Sequence, residues 1–176
     1  LGSLRAKADA IRTRLAKSIN TKYQENPAYY ENFSKRIKEA LELYKARTIT
    51  EAEYLAKMRD ILEDYRTGKS AIAYPDRIRA NVHAQAFYGV LTAIFSNEKL
   101  SVEPDFAAEM ALDITTIIEK HSQVDWTHNL TIHDRISQDI DDLFYRYQKE
   151  KGLVLSFDVI DMIIENVKTV ALRRFA

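Results

Sequence analysis

Apolar residues in this chain recur three and four positions apart through every long stretch, and that period belongs to one face of an α-helix. Leu4, Ala8, Ile11, Leu15 and Ile19 make the first stripe, and Tyr30, Phe33, Ile37, Leu41 and Tyr44 the second. A third runs from Tyr54 or Leu55 through Met58, Ile61 and Leu62 to Tyr65. A fourth helix is expected over Pro75–Phe95. Its apolar residues, from Ile78 to Ile94, cover more than one stripe, which predicts the central helix. Gly89 within it costs roughly 1 kcal/mol against alanine, which a closely crossing neighbour would explain. Pro104 opens a fifth helix with Phe106, Met110, Ile114, Ile117 and Ile118 inward. Thr131 opens a sixth with Ile132, Ile136, Ile140, Leu143, Phe144 and Tyr147 inward, and Ser156 a seventh that ends near Phe175. Only four glycines and three prolines interrupt the chain, and alternating strand patterns are absent. The expectation is therefore all-α: a single irregular helical-bundle domain of about seven helices around one core.

Local signals mark the boundaries. Asn26-Pro27 reads as a helix start, because proline lacks an N–H where none is needed. Thr50 with Glu53 is a capping box. Gly68 and Gly152 stand where the chain must leave a helix. Tyr74 before Pro75 is biased extended. These signals divide the chain into residues 4–67 with three helices, a flexible loop at 68–74, central helices at 75–122, and 123–176. The last part holds an Asp125-Trp126 turn and a C-terminal helix hairpin, with Trp126 packed beneath it. Leu1-Gly2-Ser3 reads as a protease-site and cloning scar at residues 1–3, and the remainder, residues 4–176, as a piece of something larger.

Charge excludes some partners globally but not locally. Lys plus Arg equals Asp plus Glu at 26 each, so no net field pulls the chain toward nucleic acid or an anionic membrane. Residues 1–22, however, hold Arg5, Lys7, Arg12, Arg14, Lys17 and Lys22 against Asp9 alone. The first helix thus offers a cationic face for a polyanion, with Arg5, Arg12, Arg14 and Lys17 flanking the apolar stripe and pointing outward. Arg77 and Arg79, at the start of the fourth helix, are a second candidate DNA surface. Arg173 and Arg174 are a third, although cations in a last turn also complement the helix dipole. The chain has no cysteine, which fits a reducing compartment. Neither a signal peptide nor a membrane-length apolar run is visible, so a cytoplasmic location is expected.

The usual catalytic constellations are missing. There is no G-x-x-x-x-G-K-[ST] loop, no G-x-S-x-G elbow and no H-E-x-x-H pair. Asp139-Ile140-Asp141-Asp142 could in principle hold Mg²⁺, but Arg135 and Arg146 lie four residues from Asp139 and Asp142, which favours i,i+4 ion pairs on a solvated face. His121, His128 and His133, with Asp125 and Asp134 nearby, could be imagined around zinc. Their irregular spacing favours a helix-terminal His121 and two surface histidines. Tyr23, Tyr29 and Tyr30 could stack on single-stranded bases, yet at helical spacing Tyr30 and Tyr44 read as core-rim residues. Asp125 reads as a turn residue accepting backbone N–H bonds. No catalytic residue, metal or cofactor is assigned to this chain, and it is expected to hydrolyse neither ATP nor DNA. The residues leave open an assembly module of a DNA-handling machine, a small-molecule-binding or catalytic bundle, and an unrelated helical adaptor.

One run carries a resemblance. VDWTHNLTIHDRISQDIDDLFYRYQKEKGLVLSFDVIDMIIENVKTVALRRF, residues 124–175, resembles the C-terminal end of the motor (R) subunit of bacterial type I restriction enzymes. There an Asp-Trp pair precedes a charged helix, a glycine-bearing loop and a last helix ending in basic residues. Here those are Asp125-Trp126, Arg135–Tyr147, Gly152 and Arg173-Arg174. The similarity extends back over Tyr30–Tyr65 and Ala86-Phe87-Tyr88. It implies a non-catalytic C-terminal helical domain that helps to dock the motor subunit onto a methyltransferase core and lies beside the DNA path. It also implies that ATP and Mg²⁺ serve nuclease and motor domains elsewhere in the parent subunit, an ATP-dependent site-specific deoxyribonuclease. Sequence recognition is expected to reside in another subunit.

Overall fold

The structure, a computed structural model, describes residues 2–176. It is all-α as expected: the described residues form seven α-helices and no strand. They are α1 (Leu4–Lys22), α2 (Pro27–Lys45), α3 (Glu51–Thr67), α4 (Val82–Asn97), α5 (Pro104–His121), α6 (Leu130–Lys151) and α7 (Phe157–Arg174). One expectation fails: the apolar residues form two separate clusters rather than one core. The described residues accordingly divide into two compact units, one of residues 2–23 with Pro27–Ala73, the other of Gln24–Asn26 with Tyr74–Ala176.

The first unit is a three-helix bundle. Tyr54 of α3 donates to Asp9 of α1 at 3.0 Å, and Ser18 and Tyr65 share a hydrogen bond of 2.7 Å further along, so α1 and α3 run parallel. Tyr44 stacks on Tyr54 while Phe33 packs edge-on to Tyr65, so α2 runs opposite to both. Leu15, Ile19, Phe33, Tyr54, Leu55 and Met58 fill its interior. Both Tyr54 and Leu55 are buried, since α3 packs on both α1 and α2 and so buries more than one narrow stripe. The capping box forms as expected, with Thr50 accepting from the Glu53 N–H and Glu53 from the Thr50 N–H, each at 3.1 Å. Ser3, set aside as a scar, caps α1 by accepting from the Ala6 N–H at 3.1 Å. Gly68 ends α3 at φ +75°.

The second unit is a four-helix bundle in which α4 packs on α5 and α7, and α6 on α5 and α7. The expected helix from Pro75 is shorter than its pattern. Residues Asp76–Ile78 form a 3₁₀ turn with i→i+3 bonds, and α4 begins only at Val82, where Asn81 accepts from the Ala84 N–H at 3.0 Å. An asparagine side chain that satisfies an orphan N–H resets the helix start there. Asn129, not Thr131, caps α6 in the same way, at 3.3 Å from the Ile132 N–H. Tyr147 donates a short hydrogen bond to Asp113 on α5, and burial and then that carboxylate push its phenol well above the ordinary range. Trp126 is 3% exposed, and its indole N–H donates to the Phe175 carbonyl at 2.8 Å. It thus ties the α5–α6 connection to the end of α7. Asp125 contributes a left-handed φ of +60° and no side-chain cap, which corrects the expected role: aspartate is tolerated there because its short polar side chain suits that region.

Two predictions arise from this unit. Gly152 closes α6 at φ +68° with nothing within 4 Å of an added Cβ. Gly152→Ala should therefore cost only the left-handed penalty, about 1 kcal/mol, read as a lower urea midpoint. Gly152→Asn should cost less, and equal losses would count against the backbone explanation. His83 accepts from Arg174 at 2.9 Å, and burial, then the nearby guanidinium, hold its pKa below the usual 6.5. The unfolded chain therefore takes up the proton first, so this stabilisation is present above about pH 6.5 and is lost as pH falls toward the folded value. Urea midpoints should drop more between pH 7.5 and 5.5 in the native sequence than in His83→Gln. Identical slopes would remove His83 from that balance.

Candidate nucleic-acid interface

The three candidate cationic surfaces fare differently. Arg77 is committed, its fork bonding both Asp105 oxygens at 2.9 and 2.8 Å. Arg79 pairs with Asp76; Arg77 lies in the 3₁₀ turn and Arg79 directly after it, both ahead of the central helix. Arg174 donates to His83 and, at 2.8 Å, to the Glu25 carbonyl, which makes it a structural tie. Its neighbour Arg173 is exposed without an acidic partner among the described residues. On α1, Arg5 and Arg12 both turn toward Asp9, at 3.6 and 3.4 Å. Arg12 is half-buried, and its Nε is enclosed without a partner. The expectation that all four α1 cations point freely outward is therefore corrected for Arg12: the Asp9–Tyr54 pair draws it toward α3.

Arg14 and Lys17 remain exposed and without an acid partner among the described residues. They stand on the rim of an open groove of about 650 Å³ between α1 and α3. Lys22 and Arg66 complete its cationic rim, Leu15, Leu62 and Tyr65 form its floor, and Ser18 and Thr21 add hydroxyls. The geometry follows from helix pitch. Arg14, Lys17 and Thr21 are three and four residues apart on one face of α1, as Leu62, Tyr65 and Arg66 are on α3. Only Arg66 has a carboxylate close by, Glu63 at 3.7 Å, and both side chains are well exposed, so that pair is weak. Lys22 and Arg66 occupy the last turns of their helices, where they offset the dipoles. Arg14 and Lys17 have no such local duty and form the surplus charge. Arg66 was not among the candidate residues, because nothing in its own neighbourhood distinguishes it from an ordinary last-turn cation.

The metal readings gain no support. Among the described residues no three His, Asp or Glu side chains gather as a metal would need. His121 bonds Asp139 at 2.6 Å, and His133 the Trp126 carbonyl at 3.1 Å. His133 lies half-buried on α6 rather than on a surface loop. The expected pairs within α6 are replaced by others: Asp139 meets His121 and Lys120 of α5, and Arg146 reaches Asp113 at 3.7 Å. Side chains across the α5–α6 contact compete better than those one turn along. Asp141 and Asp142 are exposed, which argues against an active site inside the bundle. Tyr29 and Tyr30 pack with Phe33 and Tyr65, as core-rim residues do. No helix among the described residues is long and apolar enough to cross a membrane.

Comparison with known proteins agrees with the resemblance of residues 124–175. A family model described as type I restriction enzyme HindI endonuclease subunit-like, C-terminal, matches residues 3–171. A curated relative, the type I restriction enzyme HindI endonuclease subunit of Haemophilus influenzae, is 25% identical over 127 residues. That match covers 72% of this chain and 12% of the relative, so the chain spans only a small part of that protein's length. No solved structure matches the chain significantly. With nearly its whole length inside the family model, the chain belongs to the C-terminal family of HindI-like type I restriction endonuclease subunits.

Proposed function

We propose that this chain is a non-catalytic C-terminal domain of a type I restriction motor and endonuclease subunit, which helps to dock that subunit onto a methyltransferase core and holds DNA by its backbone. ATP, Mg²⁺, translocation and cleavage belong in this reading to motor and nuclease domains outside the chain. The observation that carries the DNA half is the α1–α3 groove, where Arg14 and Lys17 stand as surplus cations beside Lys22, Arg66 and two hydroxyls. Phosphate contacts of this kind position a protein without reading bases. A neutral chain can still bind a polyanion through such a patch, because counterion release depends on local contacts.

Fluorescence anisotropy with short duplexes of unrelated sequence tests the reading. Binding should be weak, equal for each sequence, and should fall linearly on a log–log plot against salt. No binding at low salt, or affinity indifferent to salt, would refute the DNA half.

A further inference from the structure

The α6–α7 corner carries apolar surface that the bundle does not use. Phe157, the first residue of α7, is 85% exposed, and Tyr145 on α6 is 63% exposed. Val154, in the connection between them, is also exposed. Single exposed apolar residues are ordinary, but a contiguous group around a concavity marks an interaction site. Here Tyr145 and Phe157 flank a cleft of about 340 Å³ that reaches down to Leu155 and Ile160, which pack against the core. Its charged lining consists of two carboxylates, Asp141 and Asp142. Asp142 accepts from Gln138 at 2.9 Å, whereas Asp141 has no partner among the described residues. Lys149 stands 5.5 Å from the centre of the Tyr145 ring but does not line the cleft.

We infer that this cleft is a docking site for a protein segment presenting an apolar side chain flanked by lysine or arginine. The inference rests on the docking half of the reading above and gives it a surface. Charge selects the occupant. Two carboxylates at the rim repel a phosphate backbone and an anionic membrane alike. A second copy of the chain, related by a two-fold axis, would set the same acidic rim against itself. A cationic segment instead gains both carboxylates while its apolar side chain covers Tyr145 and Phe157, and aromatic residues in such a setting are the usual energetic centres of an interface. The cleft's volume lies at the small end of the range for binding pockets, which suits a few side chains of a segment rather than a large ligand.

The test is NMR titration of the 176-residue chain with two capped peptides, each holding a Leu-Trp pair, flanked by lysines in one and glutamates in the other. The lysine peptide should shift resonances within residues 141–148 and 153–160, and the glutamate peptide should bind at least about tenfold more weakly, the scale of one lost ion pair in a partly buried setting. Phe157→Ser, at a solvent-exposed position, should abolish the shifts while leaving the remaining spectrum unchanged. No shifts, shifts mapping elsewhere, or equal binding of the two peptides would each overturn the inference. Assembly of a full-length subunit with its methyltransferase core separates the two levels. Assembly that withstands Phe157→Ser removes the cleft but leaves docking standing, whereas failure of the native subunit to assemble sinks the docking reading itself.

Discussion

Replacing Arg14 and Lys17 together by glutamate lowers the affinity for duplex DNA by on the order of a hundredfold at 50 mM salt, if each cation neutralises one phosphate. Each such contact contributes about 0.9 to the slope of log affinity against log salt, so at 50 mM, relative to 1 M, one contact is worth roughly fifteenfold. The slope should therefore fall by about two when both are lost. Both side chains are exposed and bond nothing among the described residues, so the circular dichroism spectrum should not change. Arg79→Ala supplies the control: its guanidinium is engaged by Asp76, and affinity should stay within twofold or so, as for any ion pair at a surface. Arg12 is a poor choice of variant, since its partial burial beside Asp9 would confuse folding with binding. Unchanged affinity and slope in the double variant would show that the α1–α3 groove is not a DNA surface. Arg173, a candidate that is also exposed and has no acidic partner among the described residues, would then be the next to reverse.

Trp126→Ala should destabilise the four-helix unit by about 3–5 kcal/mol, the usual cost of truncating a buried aromatic side chain to alanine. Two losses add. The indole is 3% exposed within the core cluster, so its removal leaves a cavity beneath the α6–α7 hairpin. Its N–H also satisfies the Phe175 carbonyl at 2.8 Å, and without it that tie between the α5–α6 connection and the end of α7 is gone. Trp126→Phe keeps an aromatic ring but not the donor, and should cost about 1–2 kcal/mol. Because this is the only tryptophan, urea unfolding must be followed by far-ultraviolet circular dichroism rather than intrinsic fluorescence. A loss below about 1 kcal/mol for the alanine variant would mean that the side chain fills space which its neighbours can reclaim. A total stability of 5–15 kcal/mol is typical of a domain, so the expected loss is large enough to populate unfolded forms.

The helices and most of their ends were legible in the chain because they follow from short-range physics. Thr50 caps a turn three residues away, Gly152 adopts a left-handed φ by lacking a Cβ, and Trp126 is too large and apolar to stay in water. Family membership was legible for a related reason: order and spacing along one continuous run are kept in the sequence itself, and the family model matches residues 3–171, which include most of that run. Boundaries failed where two local signals competed, as at Pro75 against Asn81 and Thr131 against Asn129.

Long-range choices were not legible. Each stripe says that it must be covered but not by which partner, so seven stripes were equally compatible with one core or with two. Asp139 was expected to meet Arg135 one turn away and instead bonds His121, brought to 2.6 Å by the antiparallel contact of α5 with α6. Arg66 joins Lys17 and Lys22 on one rim because α1 and α3 run parallel, although they are far apart in the chain. Asp141 and Tyr145 meet Phe157 across a hairpin corner whose cleft depends on how α6 and α7 splay. A one-dimensional pattern specifies which face of a helix is apolar through its 3.6-residue period. Pair distances between helices follow from packing angles and side-chain volumes summed over whole interfaces, and those quantities have no local signature.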